Sequence, residues 1–173
     1  MGLASKLAAF AARLTSDSKV PQTALAANVA GNGPAFHYYQ STQQSGISPS
    51  VSTKVNFQTA VYDTTGGMFS NSRFQPTIEG WYFISTAIQS PNAGPNCSVS
   101  VAINRNGNEH FNGSSNPGTT ILWAVSVASG LVYLNGTTDY VEVYTYGTNN
   151  GSSYSLYNQI GRTYISGFLA RRA

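Results

Sequence analysis

Short runs in which apolar and polar residues alternate fill the chain from Pro34 onward. In the clearest of them, Val99, Val101 and Ile103 fall on one side of the segment. A period of two is typical of a half-buried β-strand, whereas helical periodicity is absent between residues 34 and 173. The runs are AFHYYQ, TKVNFQTAVY, WYFISTAIQ, SVSVAINRNG, ILWAVSVASGLVYL, DYVEVYTYG and TYISGFLA. They predict about eight to ten short strands packed as an antiparallel sandwich or jelly roll.

Asn-Gly pairs separate or interrupt several of these runs. Asn and Gly tolerate the positive φ angles of tight hairpin turns, so we predict a turn at each pair. The pairs are Asn106-Gly107, Asn112-Gly113, Asn135-Gly136 and Asn150-Gly151.

A helical pattern occupies the start of the chain. Its apolar residues, spaced by four, three and four positions, are Leu3, Leu7, Phe10 and Leu14. This spacing places them on one face of a helix. The stripe covers about one and a half heptads, which is too short for a helix that is stable alone in water. We therefore predict an arm and linker over 1–33, for anchoring or trimerisation, ahead of a β domain over 34–173.

Charge and cysteine content argue against several classes of protein. Charged residues make up 9% of the chain and the net charge is +3, without the basic stripe of a nucleic-acid-binding protein. No apolar stretch reaches the roughly 20 residues of a membrane span, so no membrane insertion is expected. Lys6 and Arg13 interrupt the apolar residues at the N-terminus, unlike in a secretory signal. Cys97, the single cysteine, can form neither a disulfide framework nor a Cys-rich zinc site.

Candidate catalytic groups are few. Glu109 lies beside His110, but in a turn-rich hairpin a solvated pair is the simpler interpretation. His37 lies in an aromatic run and is interpreted as a packed or interface histidine. Phosphate-binding loops and the GxSxG and HExxH motifs are absent. We expect no enzyme, no catalytic residue, no metal ligand and no cofactor.

The central part of the chain resembles the signature of the C1q globular domain, a jelly roll shared with the tumour necrosis factor (TNF) superfamily. The positions that match are Phe57, Asp63, Phe74, Gly80 and Tyr82. Phe74 arrives one residue early relative to the signature, and the later spacing is in register again. The resemblance implies that Gly80 occupies a tight turn leading into a central strand.

The end of the chain supports the same resemblance. TYISGFLA, which contains Gly167 and Phe168, is similar to the family's closing strand, and AFHYYQ lies where the opening strand belongs. The resemblance implies an all-β, antiparallel jelly-roll sandwich of the C1q/TNF-like type that assembles as a homotrimer. It also implies that Phe74, Tyr82 and Phe168 are core aromatic residues. Some family members bind calcium through an acidic cluster, which has no counterpart in this sequence.

The arm resembles the leaders of small virion proteins of tailed bacteriophages that end in C1q-like domains. This resemblance implies a structural protein assembled in the host cytoplasm and displayed on the virion surface, as capsid decoration (cement protein) or as a short head fibre. Its partners would be its own copies and other virion proteins, such as the major capsid protein. Two alternatives remain open: a receptor- or glycan-binding head module of a fibre, and a secreted C1q/TNF-like ligand.

Tyrosines near the loop GTNNGSSYSLYNQIG form a candidate recognition surface for a host-surface glycan or receptor. They are Tyr144, Tyr146, Tyr154 and Tyr157. Tyr with Asn, Ser and Gly is the composition of adaptable binding loops. Packing inside the sandwich or at a subunit interface is the alternative. Asn-x-Ser/Thr sequons, which we attribute to chance in a chain rich in Asn, Ser and Thr, begin at Asn96, Asn112, Asn135 and Asn150.

Overall fold

The structure, a computed structural model, describes residues 33–91, 97–115 and 123–173, so the predicted arm with Leu3, Leu7, Phe10 and Leu14 lies outside the described residues. Apart from a 3-10 turn at Asn149–Gly151, the regular elements of the described part are strands. They are β1 (Ala35–Tyr39), β2 (Gln44–Ile47), β3 (Thr53–Lys54), β4 (Thr59–Asp63), β5 (Phe69–Ser70), β6 (Arg73–Phe74), β7 (Gly80–Pro91), β8 (Val99–Arg105), β9 (Asn108–Ser115), β10 (Trp123–Leu134), β11 (Val141–Gly147), β12 (Tyr154–Leu156) and β13 (Tyr164–Arg172).

Two sheets pack face to face. The first sheet has the strand order β10-β7-β13-β1-β4, and the second has β5-β6-β11-β8-β9, with β3 also paired to β11. A short ribbon joins β12 to β2. The strand pairs of the described part are antiparallel. The predicted all-β, antiparallel jelly-roll sandwich is therefore confirmed.

The core between the sheets follows the predicted alternation. Val99, Val101 and Ile103 are fully buried. An aromatic cluster bridges the sheets, because Phe36 in the first sheet lies 4.6 Å, centroid to centroid, from Phe74 in the second. The core aromatic positions implied for Phe74 and Tyr82 are both buried. Each such side chain contributes about 1.5–3 kcal/mol of hydrophobic stabilisation.

Phe168 does not belong to this core. Its side chain is 49% exposed on the outer side of the first sheet, so its implied place in the core was wrong. The reason lies in the preceding residue: Gly167 points inward, where an added Cβ would lie 2.9 Å from the ring of Phe36. Because successive side chains of a strand alternate, Phe168 must point outward.

Gly80 opens β7 rather than forming a tight turn, so that expectation was also wrong. Its φ angle is not among the positive values of the chain. The glycine is required for close approach of two strands instead, because a Cβ there would lie 2.5 Å from the carbonyl oxygen of Arg171.

The remaining two positions that match the signature, Phe57 and Asp63, also have defined hydrogen bonds. The backbone N–H of Phe57 donates to Ser72 Oγ at 2.7 Å, and Asp63, which ends β4, accepts at 2.5 Å from the Tyr38 hydroxyl.

The Asn-Gly pairs behave in two ways. Asn106-Gly107 forms the turn between β8 and β9 with positive φ at both residues, as predicted. Asn135-Gly136 lies between β10 and β11, and Asn150-Gly151 lies in the 3-10 turn. Asn112-Gly113 was predicted wrongly, because both residues lie inside β9.

Gly113 has a packing role where the edges of the two sheets meet. There β9 passes so close to β10 that a Cβ on Gly113 would lie 1.8 Å from the carbonyl oxygen of Val127. Gly130 in β10 is covered in the same way by the ring of Phe111, 2.4 Å from its ideal Cβ. Two glycines thus allow the sheets to close along this edge.

Replacing Gly113 with alanine is therefore expected to force β9 away from β10. Overpacking of this kind costs about 1–3 kcal/mol of the free energy of unfolding. Urea denaturation followed by tryptophan fluorescence measures the loss as a lower midpoint. The matched control is Ser114→Ala, an exposed position on the same strand, which we expect to leave the midpoint unchanged. Equal midpoints for the two variants would contradict the packing role.

Candidate functional site

The outward side of β7, β10 and β13 in the first sheet forms a broad apolar surface, which we call the apolar face. Its exposed large apolar side chains are Trp81, Trp123, Val125, Val127, Leu131 and Phe168. They share one side because the strand register places Leu131 opposite Phe83, and Phe83 opposite Phe168. Several large apolar side chains grouped on one exposed side of a sheet favour burial against another protein surface.

The apolar face is ordered in rows across the strands. One apolar row consists of Leu131, Phe83, Phe168 and Ala35. A second apolar row consists of Val127, Ala87, Tyr164 and Tyr39. Between them runs a polar row of Ser129, Ser85, Ser166, His37 and Tyr62. None of these side chains is Lys, Arg, Asp or Glu, so the three rows carry no formal charge when His37 is neutral.

His37 lies between two tyrosine rings of this face. Its ring stacks on Tyr164 with a centroid distance of 5.3 Å and on Tyr62 with 6.2 Å. Burial lowers the pKa of His37 below its ordinary value, which favours the neutral imidazole. The histidine is packed, as its aromatic surroundings in the sequence indicated.

Among the described residues, two carboxylates form ion pairs away from the apolar face. Glu142, buried in β11, accepts from Lys54 Nζ at 2.7 Å and from Arg73 Nε at 2.8 Å. Burial by itself would raise the pKa of Glu142, but the hydrogen bonds from these two cations outweigh it and hold the pKa below its usual range. Asp139 behaves in the same way. Burial by itself would raise its pKa, but Arg105 Nη2, which donates to Asp139 Oδ2 at 2.7 Å, helps to hold the pKa below its usual range. These groups stabilise the fold and are engaged with their cations.

Glu109 and His110, the adjacent pair noted in the sequence, engage different partners. Glu109 accepts from Asn112 Nδ2 at 2.5 Å, while His110 packs edge-on against Phe111. Within the described ranges, no three His, Cys, Asp or Glu side chains come together in a way that could hold a metal ion. The same part of the chain contains no helix with the length and apolarity of a membrane span.

The four candidate recognition tyrosines do not share one surface. Tyr144 and Tyr146 lie on the outward side of β11 in the second sheet. Tyr154 in β12 points into the core, where it is buried and its hydroxyl lies 3.3 Å from Thr145 Oγ1. Tyr157 lies elsewhere, beside the guanidinium of Arg162 at 5.7 Å. The sequence cluster therefore separates into a pair and two single residues.

Tyr144 and Tyr146 line a groove on the outer side of the second sheet. The groove has a volume of about 270 Å³ and is also lined by Ser52, Ser100, Ala102, Glu109 and Thr145. Sequence reasoning missed these further residues because β3, β8, β9 and β11 are brought together only by strand pairing. The alternation along β8 was the one local signal that could have indicated the small residues facing the groove.

Known proteins with similar structures share this fold. No protein-family model matches the sequence, and no curated protein matches it. The structure is similar to that of Eiger TNF from S. frugiperda, with a TM-score of 0.62 and 11% identity over 82% of this chain and 94% of that chain. It is also similar to murine APRIL at pH 5.0, with a TM-score of 0.59 and 13% identity over 79% of this chain and 98% of that chain. The jelly roll is thus TNF-like.

The ion pairs of Glu142 predict how stability depends on pH. Since the folded-state pKa of Glu142 lies below its unfolded value near 4.5, its contribution is present above that pH and is lost as pH falls through the folded-state pKa. We expect Glu142→Gln to lower the free energy of unfolding at pH 7 by about 1–3 kcal/mol, because two cations lose their partner.

The same variant should lose less stability than the wild type on acidification from pH 7 to pH 3, as measured by urea denaturation. Glu109→Gln, which replaces an exposed carboxylate on β9, is the control and should leave the free energy of unfolding at pH 7 nearly unchanged, because it removes none of the ion pairs of Glu142. If the free energy of unfolding falls equally from pH 7 to pH 3 in Glu142→Gln and in the wild type, the ion pairs do not have this role.

Proposed function

We propose that this protein is a non-enzymatic structural protein that assembles as a homotrimer through the apolar face. We propose further that it is displayed on the surface of a bacteriophage particle, as capsid decoration or as a short head fibre. The observation that carries the proposal is the exposed apolar surface on one side of a folded TNF-like sandwich. Large apolar side chains held on a regular sheet favour burial against another protein surface.

The chemistry of the apolar face fits copies of the same chain as its occupant. Its three rows carry no formal charge, so packing these rows against those of another copy buries no like-charged groups. The row of serines with His37 supplies hydrogen-bond donors and acceptors between two apolar rows. Such a polar row opposes sliding of one copy over another, because a shifted copy would leave buried polar groups unpaired.

The virion role draws on the N-terminal arm. A trimer of heads would hold three arms together and give them a high effective concentration for a short bundle or a docking helix. Each apolar side chain of the predicted stripe contributes about 1.5–3 kcal/mol when it is buried. Three copies of the stripe would suffice to attach the trimer to a capsid or tail protein.

A secreted TNF-like ligand is the alternative that the structural similarity to Eiger TNF and murine APRIL favours. The fold is common to both functions, so location distinguishes them. Mass spectrometry of purified virions would detect the chain under the proposal, in hundreds of copies for decoration and in a handful for a fibre. If the protein is absent from virions and is recovered free outside cells, the result would support the role of a secreted ligand.

Charge introduced on the apolar face is expected to separate the subunits. Light scattering of the wild type should give three times the chain mass of 18.4 kDa. Leu131→Asp combined with Phe168→Asp should give the monomer mass with an unchanged circular dichroism spectrum, since both side chains are about half exposed in the single chain.

The control for this experiment is Val51→Asp. Val51 is 51% exposed, like the two targets, but lies in the turn before β3, away from the apolar face. The Val51→Asp variant should remain trimeric. A wild-type protein that is monomeric at micromolar concentration would overturn the assembly proposal.

The arm is expected to attach the trimer to its particle. Leu7→Asp with Phe10→Asp should leave a trimeric head that no longer co-sediments with purified particles, because the predicted stripe loses its apolar character. Ser5→Asp with Ala12→Asp adds the same charge to the opposite side of the predicted helix and should preserve binding. Normal loading of the Leu7 and Phe10 variant would place the attachment surface on the jelly roll instead.

A further inference from the structure

The groove beside Tyr144 and Tyr146 has a defined floor and two walls. Strand pairing places Tyr144 opposite Ala102, and Tyr146 opposite Ser100. On the other side of β8, Ala102 pairs with Asn112 of β9. The two small residues of β8 therefore form the floor between tall side chains on β11 and polar side chains on β9. At about 270 Å³, the groove far exceeds the roughly 10–15 Å³ that one water molecule needs.

The tyrosines form a platform on one side of this groove. Side chains two residues apart on a strand stand side by side, about 6.5–7 Å apart along its axis. Tyr146 is 42% exposed, and the hydroxyl of Tyr144 donates to Glu142 Oε2 at 3.2 Å, which holds that ring in place. Both rings stand on the same side of one strand, unlike the cage of facing rings that encloses a quaternary ammonium ion.

Polar groups surround the platform. Ser52 and Ser100 supply hydroxyls that can donate and accept, and Glu109 supplies a carboxylate that accepts. Glu109 is oriented by the side-chain amide of Asn112, which donates to it at 2.5 Å. An apolar surface combined with a few positioned polar groups is the usual construction of a small-molecule site.

The charges select against an anionic ligand. Glu109 is the charged residue among those lining the groove, and it is negative. The nearby cations Lys54 and Arg73 are already engaged by Glu142. The lining of the groove thus offers a phosphate, sulfate or carboxylate a like charge and no cation, although Lys54 and Arg73 beside it together carry one more charge than the Glu142 that they share.

We propose that this groove binds one ring of a neutral saccharide. One apolar face of the sugar would lie on the platform of Tyr144 and Tyr146, and its hydroxyls would bond to Glu109, Ser52 and Ser100. The proposal names a ligand class for the recognition pair and does not rest on a virion role. The groove also lies on the sheet opposite the apolar face, so self-association leaves it open.

Saturation-transfer difference NMR on the full-length protein tests the proposal. The probes are the methyl glycosides of glucose, galactose, mannose and N-acetylglucosamine, with choline chloride and inorganic phosphate as the competing ligand classes. We expect transfer to the ring protons of at least one glycoside. Tyr146→Ala should weaken its binding at least tenfold, because it removes the exposed half of the platform.

Two further variants make the result specific to the groove. Ser100→Trp, which fills the floor, should also abolish transfer, while Tyr157→Ala, which removes a tyrosine outside the groove, should keep wild-type binding. Circular dichroism confirms that each variant is folded. The proposal is overturned if no glycoside binds at tens of millimolar, if choline or phosphate binds in their place, or if Tyr146→Ala and Ser100→Trp both bind like the wild type. Light scattering of the same samples reports assembly separately.

Discussion

The contact between Gly167 and the ring of Phe36 sets the orientation of the central strand of the first sheet. Gly167 leaves space for a ring that itself packs on Phe74 in the second sheet. Because Gly167 faces the core, the residues on either side of it in β13 face outward. Phe168 is one of them and is therefore exposed to solvent. Phe168 pairs with Phe83 of β7, and Phe83 pairs with Leu131 of β10, so these two side chains also face outward. One close contact in the core thus accounts for the apolar surface on the opposite side of the sheet.

The two sheets divide the surface chemistry between them. The first sheet faces the core on its inner side and carries two apolar rows flanking a polar row on its outer side, which suits a layer between a core and a second protein surface. The second sheet is apolar inside and polar outside, where Glu142 joins Lys54 and Arg73 and the groove opens beside Tyr144. Several of the few charged residues of this chain thus form ion pairs that join strands of the second sheet. The outer side of the first sheet carries no formal charge along three rows.

The similarity to Eiger TNF and murine APRIL shows how little of the fold depends on particular residues. Identities of 11% and 13% accompany matched architecture over most of each chain. Alternation, buried aromatic residues and glycines at close contacts satisfy the packing of a jelly roll with many different sequences. Function has to be sought in the surfaces that this frame presents, which here are the apolar face and the groove.

The sequence by itself determined the fold class and much of the core, because alternation in β8 and β11 and the spacing of Phe74 and Tyr82 are local properties of the chain. Only the tertiary structure decided the direction of Phe168, the strand position of Gly113 and the separation of Tyr154 from Tyr144. Each of these depends on what a neighbouring strand, distant in sequence, allows at that point. Local pattern specifies which residues alternate, but the contact across the sandwich selects which side becomes the core.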